Sequence, residues 1–128
     1  MRLAATLALA SGLLVVAATA EAHHSGAMFD RTKQVTITGT VKEFNWTNPH
    51  ASFAVIVARP DGTEEQWGVE MNSPNNLVRE GWTRSTIKPG DKVTALINPL
   101  RDGKPGGVYV GITLPSGKYI GAAPAKAY

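Results

Sequence analysis

Apolar residues in this chain recur at every second position, in short runs cut by proline- and glycine-rich turns. In residues 34–46, Val35, Ile37, Gly39 and Val41 alternate unevenly with Thr36, Thr38, Thr40 and Lys42. A period of two in β-branched residues reads as a strand. Thr47-Asn48-Pro49-His50 ends it, and Pro49 biases Asn48 away from helix. Residues 51–58 form a second strand, with Phe53, Val55 and Val57 on one face. Residues 64–71 form a third, with Glu65, Trp67, Val69 and Met71 on one side. Pro60-Asp61-Gly62 joins these two as a hairpin turn.

The one good helix signal beyond the first 22 residues is Ser73-Pro74, a capping residue followed by proline at the first helical position. Gly81 ends that helix after about two turns. Lys88-Pro89-Gly90-Asp91 is a further turn. A strand over 92–98, a loop over 99–107, a strand over 108–114 and a short strand over 118–120 follow. This order predicts a mainly β fold: a small, mostly antiparallel, partly open barrel of five or six strands with one short helix. It has the layout of oligonucleotide/oligosaccharide-binding (OB) folds. A small β-sandwich is the alternative.

The start of the chain reads differently. Met1-Arg2 gives a positive start, and residues 3–16 are an uncharged apolar run, too short for a membrane span of about 20 residues. Small residues follow up to Ala22, as in a secretory signal peptide. The expected division is a signal peptide over 1–22, an N-terminal arm over 23–33, the barrel over 34–120 and a loose tail over 121–128. The destination is the periplasm or the exterior, with no membrane span once the signal is cut. A cut after Ala22 makes His23 the first residue; a cut after Ala20 leaves Glu21 first.

The chain contains no cysteine, which excludes disulfides, thiolate metal sites and cysteine nucleophiles. A formal charge of +3 on 128 residues is too small and too evenly spread for a nucleic-acid footprint. No nucleophile elbow and no phosphate loop is present, so no enzyme reaction is legible.

The chemistry-bearing residues are the histidines. A freed α-amine has an ordinary pKa near 8, so a metal ion displaces its proton at neutral pH. The amine and Nδ1 of a leading His23 close a chelate ring on one ion, and His50 is the obvious third nitrogen. Copper(II) favours such tetragonal nitrogen sites. His24 and Glu70 are assisting candidates, and Asp30, Met28 and Met71 minor ones. The plainer reading makes His23 and His24 a polar chain start and His50 a loop residue bonded to backbone. Trp46, Trp67 and Trp82 are candidate stacking rings for a ligand, weighed against ordinary core packing; Trp67, in phase with Val69, favours the core.

Ala22-His23-His24-Ser25, Phe29-Asp30, Gly39-Thr40-Val41, Trp46 to His50, Trp67 to Glu70, Gly81-Trp82 and Lys88 to Asp91 together resemble a family of exported bacterial proteins, a domain of unknown function. The resemblance implies a periplasmic single domain and places His23, His24, His50, Trp46 and Glu70 among its signature positions. It implies no activity. The expected function is therefore a non-enzymatic periplasmic module that binds a metal ion, copper(II) foremost. The alternative is an envelope binding or assembly module that uses an aromatic face or a sheet edge without metal. A copper oxygenase is set behind both, because so small a domain offers little substrate platform.

Overall fold

Strand formation follows the alternation. The computed structural model describes residues 26–124; the expected signal peptide, His23, His24 and residues 125–128 lie outside them. A 3₁₀ turn, Gly26–Met28, precedes β1 (Val35–Asn45), β2 (Ser52–Ala58), β3 (Glu64–Glu70), α1 (Pro74–Arg79), β4 (Lys92–Pro99), β5 (Gly106–Thr113) and β6 (Tyr119–Gly121). The sheet order is β3-β2-β1-β4-β5-β6. A parallel pairing of Gly68, Val69 and Glu70 with Gly106, Gly107 and Val108 closes β3 onto β5. The result is a closed five-stranded barrel with β6 as an extra strand. The expected OB-like β fold holds, with one parallel seam among antiparallel neighbours.

β1 serves two neighbours. Its first half pairs with β4 and its second half with β2. A bulge between Val41 and Glu43 shifts the phase, so Ile37 and Val41 face inward and Phe44, not Glu43 or Asn45, packs against the core. This explains the uneven alternation. At Gly39 a side chain would run into the Ile56 carbonyl, so the bend requires glycine. Phe53 and Val55 of β2, Val69 of β3, Val93, Ala95 and Ile97 of β4 and Ile112 of β5 complete the barrel interior.

The helix covers one end of that core with Leu77 and is followed by the buried Trp82 and Ile87. Its start differs from the sequence expectation. Ser73 makes no side-chain cap; instead Asn72 Oδ1 accepts from Ser73 N (2.7 Å) and from Asn76 Nδ2 (2.8 Å). Ser73 still stands at the N-cap, where its carbonyl accepts from Asn76 N and Leu77 N, both at 3.0 Å. Gly81, at φ +99°, ends the helix as expected and lets Trp82 N return to Leu77 O at 3.0 Å.

Several strand limits shift by one or two residues. Gly106 and Gly107, expected in a loop, belong to β5. Lacking side chains, they lie tight against both neighbours: a Cβ at Gly107 would strike Asn98 O of β4, and one at Gly106 would press on Gly68 O of β3. Gly121 ends β6, and Ala122 N donates to Val110 O at 3.0 Å. Among the described residues no helix is long and apolar enough to cross a membrane.

Candidate functional site

The loop from β1 to β2 carries His50, and its place is set by backbone. Ala51 N donates to Asn72 O (3.0 Å) and Met71 N to Ala51 O (2.9 Å), tying the loop to the chain leaving β3. The Asn48–Pro49 peptide in that loop is cis. His50 Nδ1 lies 3.0 Å from Met71 O. A carbonyl only accepts, so Nδ1 is the donor in this contact and Nε2 is the ring nitrogen left for another partner. The carbonyl thereby fixes which way the ring is turned. The expected bond from His50 to backbone is present.

His50 lies between two concavities. One, of about 760 Å³, lies against Gly26, Phe29, Arg31, His50, Glu70, Asn98 and Tyr109. The other, of about 610 Å³, runs over Met28, residues 47–51, and parts of β2 and β3. His50 and Glu70 border both. Glu70 is the last residue of β3, half-buried, paired with Ser52 on one side and Val108 on the other.

The wall facing His50 is the N-terminal arm, which is docked. Phe29 is 5% exposed and bridges to Leu100. Asp30 N donates to Pro99 O (2.8 Å), Arg101 N to Met28 O (2.9 Å), Arg101 Nε to Ala27 O (2.9 Å) and Asn98 Nδ2 to Lys33 O (2.8 Å). Sequence reasoning treated this arm as polar and missed the docking. The signal was there in Met28-Phe29, the only apolar pair in the stretch, with no visible partner at a distance in sequence.

The remaining candidates separate. Asp30 accepts from Thr32 Oγ1 (2.6 Å) and Thr32 N (3.1 Å). Those bonds hold its carboxyl below the usual carboxylate range, and the group is occupied in a turn. Met71 is buried, whereas Met28 is 43% exposed at the second groove. Trp82, a stacking candidate, is fully buried, so it presents no face to a ligand. Its Nε1 donates to Tyr109 OH at 3.1 Å, and its ring meets Tyr109 edge-on at 5.4 Å and Phe44 at 5.7 Å. Phe44 also meets Trp46, at 5.8 Å. Trp46 and Trp67 are half-buried against the core. Trp67 donates to Glu65 Oε1 at 2.9 Å and stands outside that ring cluster. None of the three indoles borders either concavity. Core packing accounts for Trp82, while Trp46 and Trp67 pack one side on the core and keep the rest exposed.

Among the described residues no three His, Asp or Glu side chains converge as metal ligands. Of the candidate ligands, His50, Glu70 and the buried Met71 border one cavity; His23 and His24 lie outside the described residues.

Comparison with curated proteins returns no match. Among solved structures, the chain is similar to the mitochondrial single-stranded DNA binding protein Rim1 of S. cerevisiae, with 14% identity, 64% of this chain and 93% of that chain covered, and a TM-score of 0.48. A selenomethionine-labelled crystal of the same protein gives 18% identity, 64% and 92% coverage and a TM-score of 0.43. A family model matches residues 9–109. The chain belongs to that family, a family of unknown function (DUF6152).

Proposed function

We propose that the protein is an exported, non-enzymatic metal-binding module that takes copper(II) between a processed amino terminus and His50. In this reading, cleavage after Ala22 frees the His23 amine. The amine and His23 Nδ1 chelate the ion, His50 Nε2 supplies the third nitrogen, and His24 or Glu70 assists. The role is metal handling in the periplasm or outside the cell.

The observation that carries the reading is the shared cavity. Gly26 and His50 border the same space, and His50 offers its Nε2 because Nδ1 is bound to Met71 O. His23 stands three residues before Gly26, a reach of about 10 Å at full extension. The test is a copper(II) titration of processed protein, of a form with one extra N-terminal alanine, and of His50→Ala. Both altered forms bind more weakly with a changed copper spectrum. Equal affinity and an unchanged spectrum in all three reject the proposal.

A second reading, an envelope assembly module without metal, is favoured by one feature. β5 meets β3 only from Gly68 onward. Among the described residues, the outer backbone edge of β3 over 64–67 therefore has no neighbouring strand, which is where an extended partner segment adds. A photo-cross-linker at Gln66 then captures an envelope partner, and His50→Ala leaves the capture unchanged. No adduct at Gln66 rejects this reading.

A further inference from the structure

The larger cavity is electrically lopsided. Arg31 borders it from the docked arm, with Nη2 3.6 Å from where a Cβ on Gly26 would stand. Glu80, the residue after α1, borders it from the side of Tyr109. Burial chiefly, and the Glu80 charge in smaller part, push the Tyr109 phenol up to about 12. Tyr109 OH donates to Ile120 O, so this end abuts β6. The ion pairs among the described residues are Lys33–Asp30, Arg59–Glu65 and Lys88–Asp91. Arg31 and Glu80 are in none of them, so opposite charges border one space without neutralising each other.

A buried amide joins the two ends. Asn98, 7% exposed, is the one buried polar side chain among the described residues. Its Nδ2 donates to Lys33 O on the arm at 2.8 Å, and its backbone pairs with Val108, the neighbour of Tyr109. Among the described residues nothing donates to its Oδ1. No side-chain oxygen there is sealed off without a partner, so Oδ1 opens onto the cavity that Asn98 borders. An open acceptor on so buried a residue marks where a donor belongs. Val108 and Val110, also at the cavity wall, lie about 7 Å apart along β5.

We propose that this cavity binds a free peptide of two or three residues, with its carboxylate at Arg31, its ammonium at Glu80 and a peptide N–H on Asn98 Oδ1. Three extended residues span about 10 Å. The volume of about 760 Å³ suits a ligand of that size. A single amino acid holds its two charges too close together to reach both ends. A diamine or a dicarboxylate sets a like charge against one of them. The end of a protein chain offers only one terminus. Arg31, Glu80 and Asn98 are not ligands in the copper reading, and the inference stands apart from it.

The test titrates the isotopically labelled full chain, with a metal chelator present, and follows amide signals by nuclear magnetic resonance. The probes are trialanine, its N-acetyl form and its C-terminal amide. The proteins are wild type, Arg31→Ala and Glu80→Gln, both changes falling on exposed side chains. Trialanine moves the signals of Val108, Val110 and the Asn98 side-chain amide. Each blocked peptide binds wild type about three- to tenfold more weakly, the worth of one hydrogen bond to a charged group partly in water. Arg31→Ala no longer separates trialanine from its amide, yet still disfavours the N-acetyl form. Glu80→Gln does the reverse. A general loosening of the fold does not produce that crossed pattern.

Three results overturn the proposal: no shift at these signals up to about 10 mM trialanine, blocked and free peptides binding wild type equally, or both variants weakening all three peptides by the same factor. If the crossed pattern appears while His50→Ala leaves copper affinity unchanged, the peptide site stands and the copper reading falls.

Discussion

Tyr109→Phe removes one oxygen that joins three parts of the barrel. The phenol accepts from Trp82 Nε1 at 3.1 Å and donates to Ile120 O at 3.0 Å. It thereby links β5 to the chain after α1 and to β6. Trp82 is fully buried, so deleting the acceptor leaves a buried N–H unpaired, which costs about 1–3 kcal/mol. Loss of the Ile120 bond adds about 1 kcal/mol. We expect a total of about 2–4 kcal/mol. With a urea slope of about 1–1.5 kcal/mol per molar, the midpoint followed by tryptophan fluorescence falls by about 2 M. The same burial pushes the Tyr109 phenol from 10.0 up to about 12. The folded pKa is raised, so the contribution is complete below pH 10 and lost as pH rises through about 12. Wild type then loses stability between those values, and Tyr109→Phe lacks that part of the alkaline decline. A stability change under about 0.5 kcal/mol, together with an unaltered alkaline limb, would refute the argument.

Three more outcomes follow from packing and charge. Gly39→Ala drives a Cβ into the Ile56 carbonyl, whereas a Cβ at Gly68 meets nothing; we expect a loss of about 2–3 kcal/mol for the first and under about 0.5 for the second in denaturant melts. Phe29→Ala releases the arm at a cost of about 2–3 kcal/mol, at or just below the core range because local detachment caps the loss; hydrogen exchange rises at Asp30 and stays protected at Val55. Asp91 is held below its ordinary 3.8 chiefly by the Lys88 side chain, 2.8 Å away. Its contribution is present above about pH 4 and lost as pH falls through the lowered value, so Asp91→Asn destabilises at pH 7 and the gap to wild type narrows as pH falls through that value in paired urea titrations.

Much of the barrel is readable in the residues themselves. Val35, Ile37 and Val41, the Phe53/Val55 face, the Val69/Met71 face and the Pro74–Gly81 helix limits all arise from local pattern and turn chemistry. What pattern cannot convey is pairing between distant segments. Nothing local to Gly106-Gly107 announces a parallel contact with β3; glycine there looks like loop, and its role appears only when the β4 backbone lies against it. Residue type marks Ser73 as the N-cap, which it is, but does not convey that its hydroxyl makes no capping bond. The site divides the same way. His50 was legible as a candidate because only three histidines exist. Its tautomer, set by Met71 O, required the fold. The Arg101–Ala27 bond spans 74 positions, far beyond any periodicity. Trp82 has the composition of a ligand platform and the environment of a core.

The three-pair seam between β3 and β5 is the narrowest join in the barrel wall, against seven pairs between β2 and β3. Thermal opening of the cylinder therefore begins there. Glu70 and Val108, opposite one another across that join, also border the cavity. Whatever grips both flanks acts as a rivet, since a ligand that needs the wall shut lowers the fraction of molecules with it ajar.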